Sequence, residues 1–244
     1  MSSAQPVRSW DEPAGIAPRG TLVLLPGRGE HGGVYERFGH RISADGYRVR
    51  ALGDASSDPE AITETAIKLL RDETLPGPRV LVGSDTGASH AARLAALEPP
   101  GLDALILAGL PTRPHSTEVA ASDWEDELER RTACPTHRGR LTADADFRRG
   151  ALAGSSAPES PVLDGISVPV LGLHGAEDTV SPLGEVRHVF RGQPGAELVS
   201  LAGTRHDVLN DVTHRTAAAT VVLFLERLRM DSGLSPVAVT EDLV

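Results

Sequence analysis

Short apolar runs alternate with amphipathic stretches through most of the chain. Thr21–Leu25 (TLVLL), Tyr47–Leu52 (YRVRAL), Val80–Gly83 (VLVG), Leu105–Ala108 (LILA), Val168–Leu173 (VPVLGL) and Ala196–Leu201 (AELVSL) predict strands. Most are too uniformly apolar to keep one face in water, which is the pattern of a parallel sheet covered on both sides. Between them the spacing predicts helices at about Gly33–Asp45, Pro59–Asp72, Thr86–Leu97 and Pro182–Phe190. A last helix runs from about Thr213 to Arg229, with Ala218, Val221, Val222 and Leu225 on one stripe. Strand–helix alternation of this kind gives an α/β fold, a mostly parallel doubly wound sheet with right-handed crossovers.

The alternation breaks between Pro111 and Pro161, where no strand pattern occurs. This stretch holds an acidic helix candidate, Ser122–Arg131 (SDWEDELERR), with Ser122 as N-cap and Glu125 completing a capping box. A loop with Cys134 and Pro135 and a second short helix near Ala143–Leu152 follow. The insertion is too long for a plain connection, and it leaves the C-terminal edge of a strand, where such sheets bind ligands. It therefore reads as a small helical lid. The division is a core of residues 1–110 and 162–230, a lid of 111–161 and a loosely attached tail of 231–244.

Composition narrows the classes. Aromatics are only 3% of the chain while hydrophobic residues make up 40%, so the core must be built from Ala, Val, Leu and Ile. A formal net charge of −10 and the lack of any basic run argue against nucleic acid as a partner. Cys134 is the only cysteine, which excludes an intrachain disulfide and a cysteine-based zinc site. The N-terminus lacks an apolar signal core and no apolar stretch is long enough to span a bilayer. A cytoplasmic protein with a small-molecule substrate, and no metal or other cofactor, is the expectation; a homodimer is compatible with it.

The sharpest local signal is Val80–Ala88, VLVGSDTGA. A buried strand enters Gly83–Ser84–Asp85–Thr86–Gly87 and leaves as a helix, the small–x–nucleophile–x–small order of a sharp strand-to-helix turn. Side chains two residues either side of the nucleophile would clash, hence the two glycines, and the helix N-terminus favours an anion at Asp85. Reading Ser84 as the nucleophile would put Val82 and Thr86 at the small positions, a poor fit. The plain alternative is a turn with Asp85 as helix N-cap.

The second signal, LLPGRGEHGGVY from Leu24 to Tyr35, follows the first strong strand. Beside such a turn, the backbone N–H groups of Arg28 and Thr86 would form an oxyanion hole. A rival reading takes Gly27–Gly32 as a dinucleotide-binding G-x-G-x-x-G, with Asp54 about twenty residues later as the ribose-binding acid. Pro26 is unusual for that motif. Near the C-terminus, Asp178 follows one strand and His206 follows the next, so nucleophile, acid and histidine appear in the order Asp85, Asp178, His206.

With these residues in view, PGRGEHGGVYERFGHRISADGY resembles the oxyanion-loop region of the monoacylglycerol lipase and lysophospholipase branch of α/β-hydrolases. There the motif reads HGxGEH followed by a nearby tyrosine, here Tyr35; RHDVLND resembles the same branch's histidine loop. The resemblance implies an α/β-hydrolase fold and covers roughly Thr21 to Arg229 except the lid. Pro26 replaces the histidine of the HG motif and Asp85 replaces the serine of GxSxG, as in epoxide hydrolases and haloalkane dehalogenases. An Asp85–His206–Asp178 triad acting on an epoxide or related electrophile is what this implies. Carboxylic ester or lipid hydrolysis, a lyase or cyclase using Asp85 as base, and a silent ligand-binding member are the alternatives. Leaving-group donors are sparse: Tyr35 and Tyr47 lie outside the lid, Trp124 is the lid's lone tryptophan, and His137, Arg138 and Arg140 form a basic turn. Tyr35 and Trp124 are the substrate-binding candidates.

Overall fold

In the computed structural model, residues 6–112, 123–153, 163–231 and 233–239 are described. Seven strands form one sheet: β1 (Arg8–Trp10), β2 (Gly20–Leu25), β3 (Tyr47–Ala51), β4 (Arg79–Ser84), β5 (Ala104–Ala108), β6 (Val170–Gly175) and β7 (Ala196–Leu201). Their spatial order is β1-β3-β2-β4-β5-β6-β7, with β1 antiparallel to β3 and every other pairing parallel. The predicted strands are all present. β1 is an addition, a short polar edge strand whose residues carry no apolar pattern to reveal it.

The two-residue period of the strands divides the core in two. Leu22, Leu24, Val80, Val82 and Ile106 face α1 (Glu36–Ala44) and α7 (His214–Met230), against Phe38, Ile42, Val221, Phe224 and Leu225. Val23, Leu25, Leu81, Leu105 and Leu107 face α2 (Pro59–Arg71), α3 (Thr86–Ala95) and α6 (Leu183–Phe190). Alanines at 88, 91, 92 and 95 let α3 lie close to the sheet. Among the described residues no helix is long and apolar enough to cross a membrane.

Between β5 and β6 the described residues form α4 (Trp124–Arg131), α5 (Pro135–Ala143) and a 3-10 turn (Ala151–Ala153). The expected cap Ser122 lies outside the described residues; Asp123 caps α4, its side chain accepting from the Asp126 amide at 2.9 Å. The second helix lies elsewhere than expected: α5 ends at Ala143, where the helix was to begin, and residues 144–150 are not helical. Pro135 sits in its first turn, where a missing N–H is harmless, so the proline starts a helix rather than marking a loop. Among the described residues of the tail, one is an anchor. Leu234 is buried in the core beside α7, and the Arg227 guanidinium donates to its carbonyl at 3.0 Å.

Candidate active site

Strand order reverses between β3-β2 and β4-β5, and the loops after β2 and β4 meet at that point, where doubly wound sheets place ligands. The turn after β4 is sharp. Asp85 adopts φ 50° and ψ −123°, a conformation that costs a non-glycine residue about 1–3 kcal/mol. A Cβ on Gly87 would lie 2.2 Å from the Leu25 carbonyl, and one on Gly83 would lie 2.4 Å from Ala88 Cα. Both glycines are thus required by close approach. Asp85 stands at the N-cap position of α3, yet its side chain accepts no capping bond. It is committed elsewhere.

The structure brings Asp85, His206 and Asp178 together. His206 Nε2 donates to Asp85 Oδ1 at 3.1 Å, and His206 Nδ1 donates to Asp178 Oδ2 at 2.8 Å. The other oxygen of Asp178 accepts from the amides of Val180 and Ser181 at 2.8 and 2.9 Å. His174, at the end of β6, donates to the Ser181 carbonyl at 2.7 Å and lies 3.2 Å from Asp178 Oδ2. Asp85 and His206 are 2% and 1% exposed.

Arg28 shapes this site through its side chain as well as its backbone. Its guanidinium, fully buried, grips Asp85 with Nε on Oδ2 and Nη2 on Oδ1, both at 2.7 Å. Its amide, the expected oxyanion donor, also reaches Oδ2 at 2.9 Å. Thr86, the other expected donor residue, is buried, and its hydroxyl has no partner among the described residues. Burial alone would raise the Asp85 carboxyl, but Arg28 and His206 outweigh it and hold it well below the usual carboxylate range. Burial likewise opposes charge on His206, but Asp178 and Asp85 push it up to about 10. The resting site is therefore two ion pairs in series, with an imidazolium at the centre.

A second charged cluster supports the first. Arg131 of α4 is fully buried and donates to Glu127 at 3.0 Å, to Glu30 at 3.3 Å and to the Arg28 carbonyl at 2.9 Å. Asp207, next to His206, lies 3.6 Å from the same guanidinium and accepts from His137 at 3.2 Å. Burial, reinforced by Asp207, pushes Glu30 up to about 8 against the pull of Arg131. Glu127 accepts the amides of Gly150 and Leu152, and the Leu152 carbonyl takes Arg28 Nη1 at 3.3 Å. Asp211 fastens the junction of α4 and α5 to the histidine loop, accepting from Thr132 Oγ1 at 2.7 Å and the Ala133 amide at 2.8 Å. Sequence reasoning missed these roles. The available signals were a glutamate inside an otherwise glycine-rich turn, an arginine ending an acidic helix, and two aspartates flanking the histidine loop.

Two expected contacts are placed differently. The Tyr35 hydroxyl bonds Glu30 and receives the Gly27 amide at 3.2 Å, so this buried ring supports the loop. Trp124 donates to Thr142 at 3.2 Å and packs against Phe147 and Arg149, a role within the helical insertion. The basic turn is paired too: Arg138 with Glu125 and Glu129, Arg140 with Glu36. Ser84 lies beside the Tyr35 hydroxyl, out of the nucleophile position.

The dinucleotide reading meets a filled loop. The Gly27, Arg28 and Gly29 amides donate to Glu30, Asp85 and Asp54, leaving none of the three for a pyrophosphate. Asp54 is further held by the Ser56 amide and Arg148, each within 2.9 Å, so it is not free for a ribose. His31, Asp144 and Asp146 bring three ligand-type atoms within 4.8 Å of one another. However, His31 Nδ1 accepts the Gly33 amide at 3.1 Å, so Nε2 carries the proton and donates to Asp144 at 2.9 Å. Neither ring nitrogen has a free lone pair for a cation.

No protein-family model matches the chain, and no curated protein matches its sequence. Solved structures do resemble it. A monoacylglycerol lipase of Paleococcus ferrophilus superposes with a TM-score of 0.68 at 15% identity, over 93% of this chain and 99% of that one. An esterase from Thermogutta terrifontis gives 0.71 at 18% identity, over 92% and 93%. The enol-lactonase of Burkholderia xenovorans gives 0.66 at 18% identity, over 91% and 96%. With the sheet order and the sharp turn after β4, these likenesses show that the chain has the α/β-hydrolase fold.

Proposed function

We propose that this protein is a hydrolase of a small organic electrophile, an epoxide or a relative, with Asp85 as nucleophile, His206 as water-activating base and Asp178 as its orienting acid. The observation that carries the reading is the unequal setting of the two Asp85 oxygens. Oδ2 sits on the Arg28 amide and Nε, a donor pair suited to an oxyanion. Oδ1 faces His206 and takes only Arg28 Nη2 from the guanidinium, so it is the oxygen that attacks once that single contact is given up. Attack by Oδ1 forms a carbon–oxygen bond, and the leaving group departs with its electron pair. Esterification removes the Asp85 charge, one of the two that keep His206 protonated, so the imidazolium gives its proton to the opened epoxide oxygen, or to solvent when a halide leaves, and the neutral ring acts as base. Water then adds to Asp85 Cγ, the oxyanion forms at Oδ2, and His206 returns a proton to the departing product oxygen. Residues 123–153 of the insertion act as a lid, carrying Leu152 and Arg131 onto Arg28.

An Asp85 general base is less well supported, because a carboxylate held so far below its ordinary range accepts protons poorly. A silent ligand-binding protein has one observation in its favour: both Asp85 oxygens are already engaged by a buried guanidinium. Single turnover in ¹⁸O-water separates the readings. The covalent route puts label into Asp85 and none into the first product. Label found only in product removes it, and no turnover of any epoxide or alkyl halide favours the silent protein.

A further inference from the structure

We infer that His174 is a positioning residue for the Asp178–His206 pair: its Nε2–H, set beside the Asp178 oxygen that holds His206, weakens the grip of that oxygen on the His206 proton. The inference rests on Asp178 as the orienting acid of His206 and not on the nature of the electrophile. His174 is near the end of β6 and is 1% exposed. A Cβ on the next residue, Gly175, would lie 2.2 Å from the Arg205 carbonyl and 2.3 Å from that of Thr204, so the end of β6 presses on the histidine loop. The Glu177 amide donates to the Thr204 carbonyl at 3.0 Å and fastens the two loops together. His174 thus stands where the acid loop and the histidine loop meet.

Its tautomer is fixed. The Ser181 carbonyl can only accept, so Nε2 carries the proton and donates to it at 2.7 Å. Nδ1 is buried and has no partner among the described residues. A buried polar atom left unpaired costs about 1–3 kcal/mol, which an apolar ring of similar size would avoid. What the imidazole adds over such a ring is its Nε2–H. Capping Ser181 is one use of it. The second is Asp178 Oδ2, 3.2 Å from the same nitrogen, which accepts His206 Nδ1 at 2.8 Å. Oδ1 is taken by the Val180 and Ser181 amides.

A carboxylate surrounded by more donors is stabilised as an anion and draws less strongly on the proton of any one of them. His174 therefore opposes the pull of Asp178 and Asp85, which together raise His206 to about 10. The other charged groups around His206 are Arg28, paired with Asp85, and Arg131, beside Asp207 in the histidine loop. Among the described residues, neither arginine pairs with Asp178. In the covalent route the effect falls on the step after the Asp85 charge is lost, when His206 must become neutral with Asp178 still facing it.

The test is titration of His206 through its ring nitrogen shifts, in the full chain and without substrate, so failure of the epoxide reading does not touch it. His174→Phe keeps a ring and removes the donor. His174→Asn is polar but too short to place a donor where Nε2 stands. His174→Gln reaches that point with a neutral N–H. In Phe and Asn the midpoint should rise by about one pH unit, tenfold in proton affinity, while Gln should titrate with the parent. The series repeated on Asp85→Asn, which lacks one of the two carboxylates, reads the same step nearer neutrality. If His174 served only to cap Ser181, its loss would let Asp178 drift from His206, and the midpoint would fall. A fall, no change in whichever of Phe and Asn folds, or an equal rise in Gln overturns the inference. Loss of the fold in both Phe and Asn, with Gln folded, would make His174 a structural anchor and overturn it as well.

Discussion

Arg28 and Asp85 neutralise each other where neither can reach water, so the value of each depends on the other. Removing one member of a buried pair strands the other, which costs several kcal/mol, whereas replacing both with apolar groups of similar shape is often nearly neutral. Arg28→Met should therefore lower the unfolding free energy by about 3 kcal/mol, with His206 and the Arg28 amide leaving Asp85 partly compensated. Arg28→Met with Asp85→Leu should recover to within about 1 kcal/mol of the parent. Urea unfolding of the three proteins measures both. A double variant as unstable as Arg28→Met alone would mean that the pair is not what couples these residues. This pairing was not legible in the sequence. Position within a turn after a strand indicates what a backbone amide faces, but a long flexible side chain is placed by neighbours distant in the chain, here Asp85 and Leu152. Asp85, Asp178 and His206 were legible because each follows its own strand in a fixed order, and their mutual distances follow from the sheet.

At the scale of elements, the strands declared themselves because both faces of a parallel sheet are buried, which leaves an apolar run that little else explains. The insertion was harder. Its helices bury polar residues, Glu127, Arg131 and His137, through ion pairs to the core, so hydrophobic periodicity does not mark their inner face. Arg131 is the main fastening. It ties α4 to Glu30 and the Arg28 carbonyl in the oxyanion loop and lies by Asp207 in the histidine loop. Arg131→Met leaves three carboxylates around an apolar chain. The expected result is a loss of about 3–5 kcal/mol. Protease cleavage within residues 123–153 should accelerate before the sheet itself unfolds. Hydrogen exchange read by fragment checks the order: protection should fall first in α4 and α5 and last in β2, β4 and β5. Uniform loss across both sets would show that the insertion and the core unfold as one unit.

For the molecule as a whole, the buried ionisable groups fix how stability varies with pH, and the two kinds of group act at opposite ends. Asp85 and Asp178 are held below the ordinary 3.8 in the folded state, so their contribution is present above that value and is lost as the pH falls. His206 is raised from 6.5 to about 10. Its contribution is fully present below 6.5, where both folded and unfolded forms are protonated, and is lost as the pH rises through about 10. Glu30, raised from 4.5 to about 8, binds its proton more tightly when folded, so stability also declines between those values on its account. The maximum should thus lie well on the acid side of neutrality, between the 3.8 of the aspartates and the 4.5 at which the Glu30 contribution begins to fall, with a long decline towards pH 10. Glu30→Gln should flatten the part of that decline below about 8 and leave the part above it, which belongs to His206. Denaturant midpoints measured from pH 4 to 10 at constant ionic strength test this, with imidazole proton shifts following His206 directly. Stability rising from pH 6.5 to 9 would mean that His206 is neutral in the resting protein, and the ion-paired picture of the site would have to be abandoned.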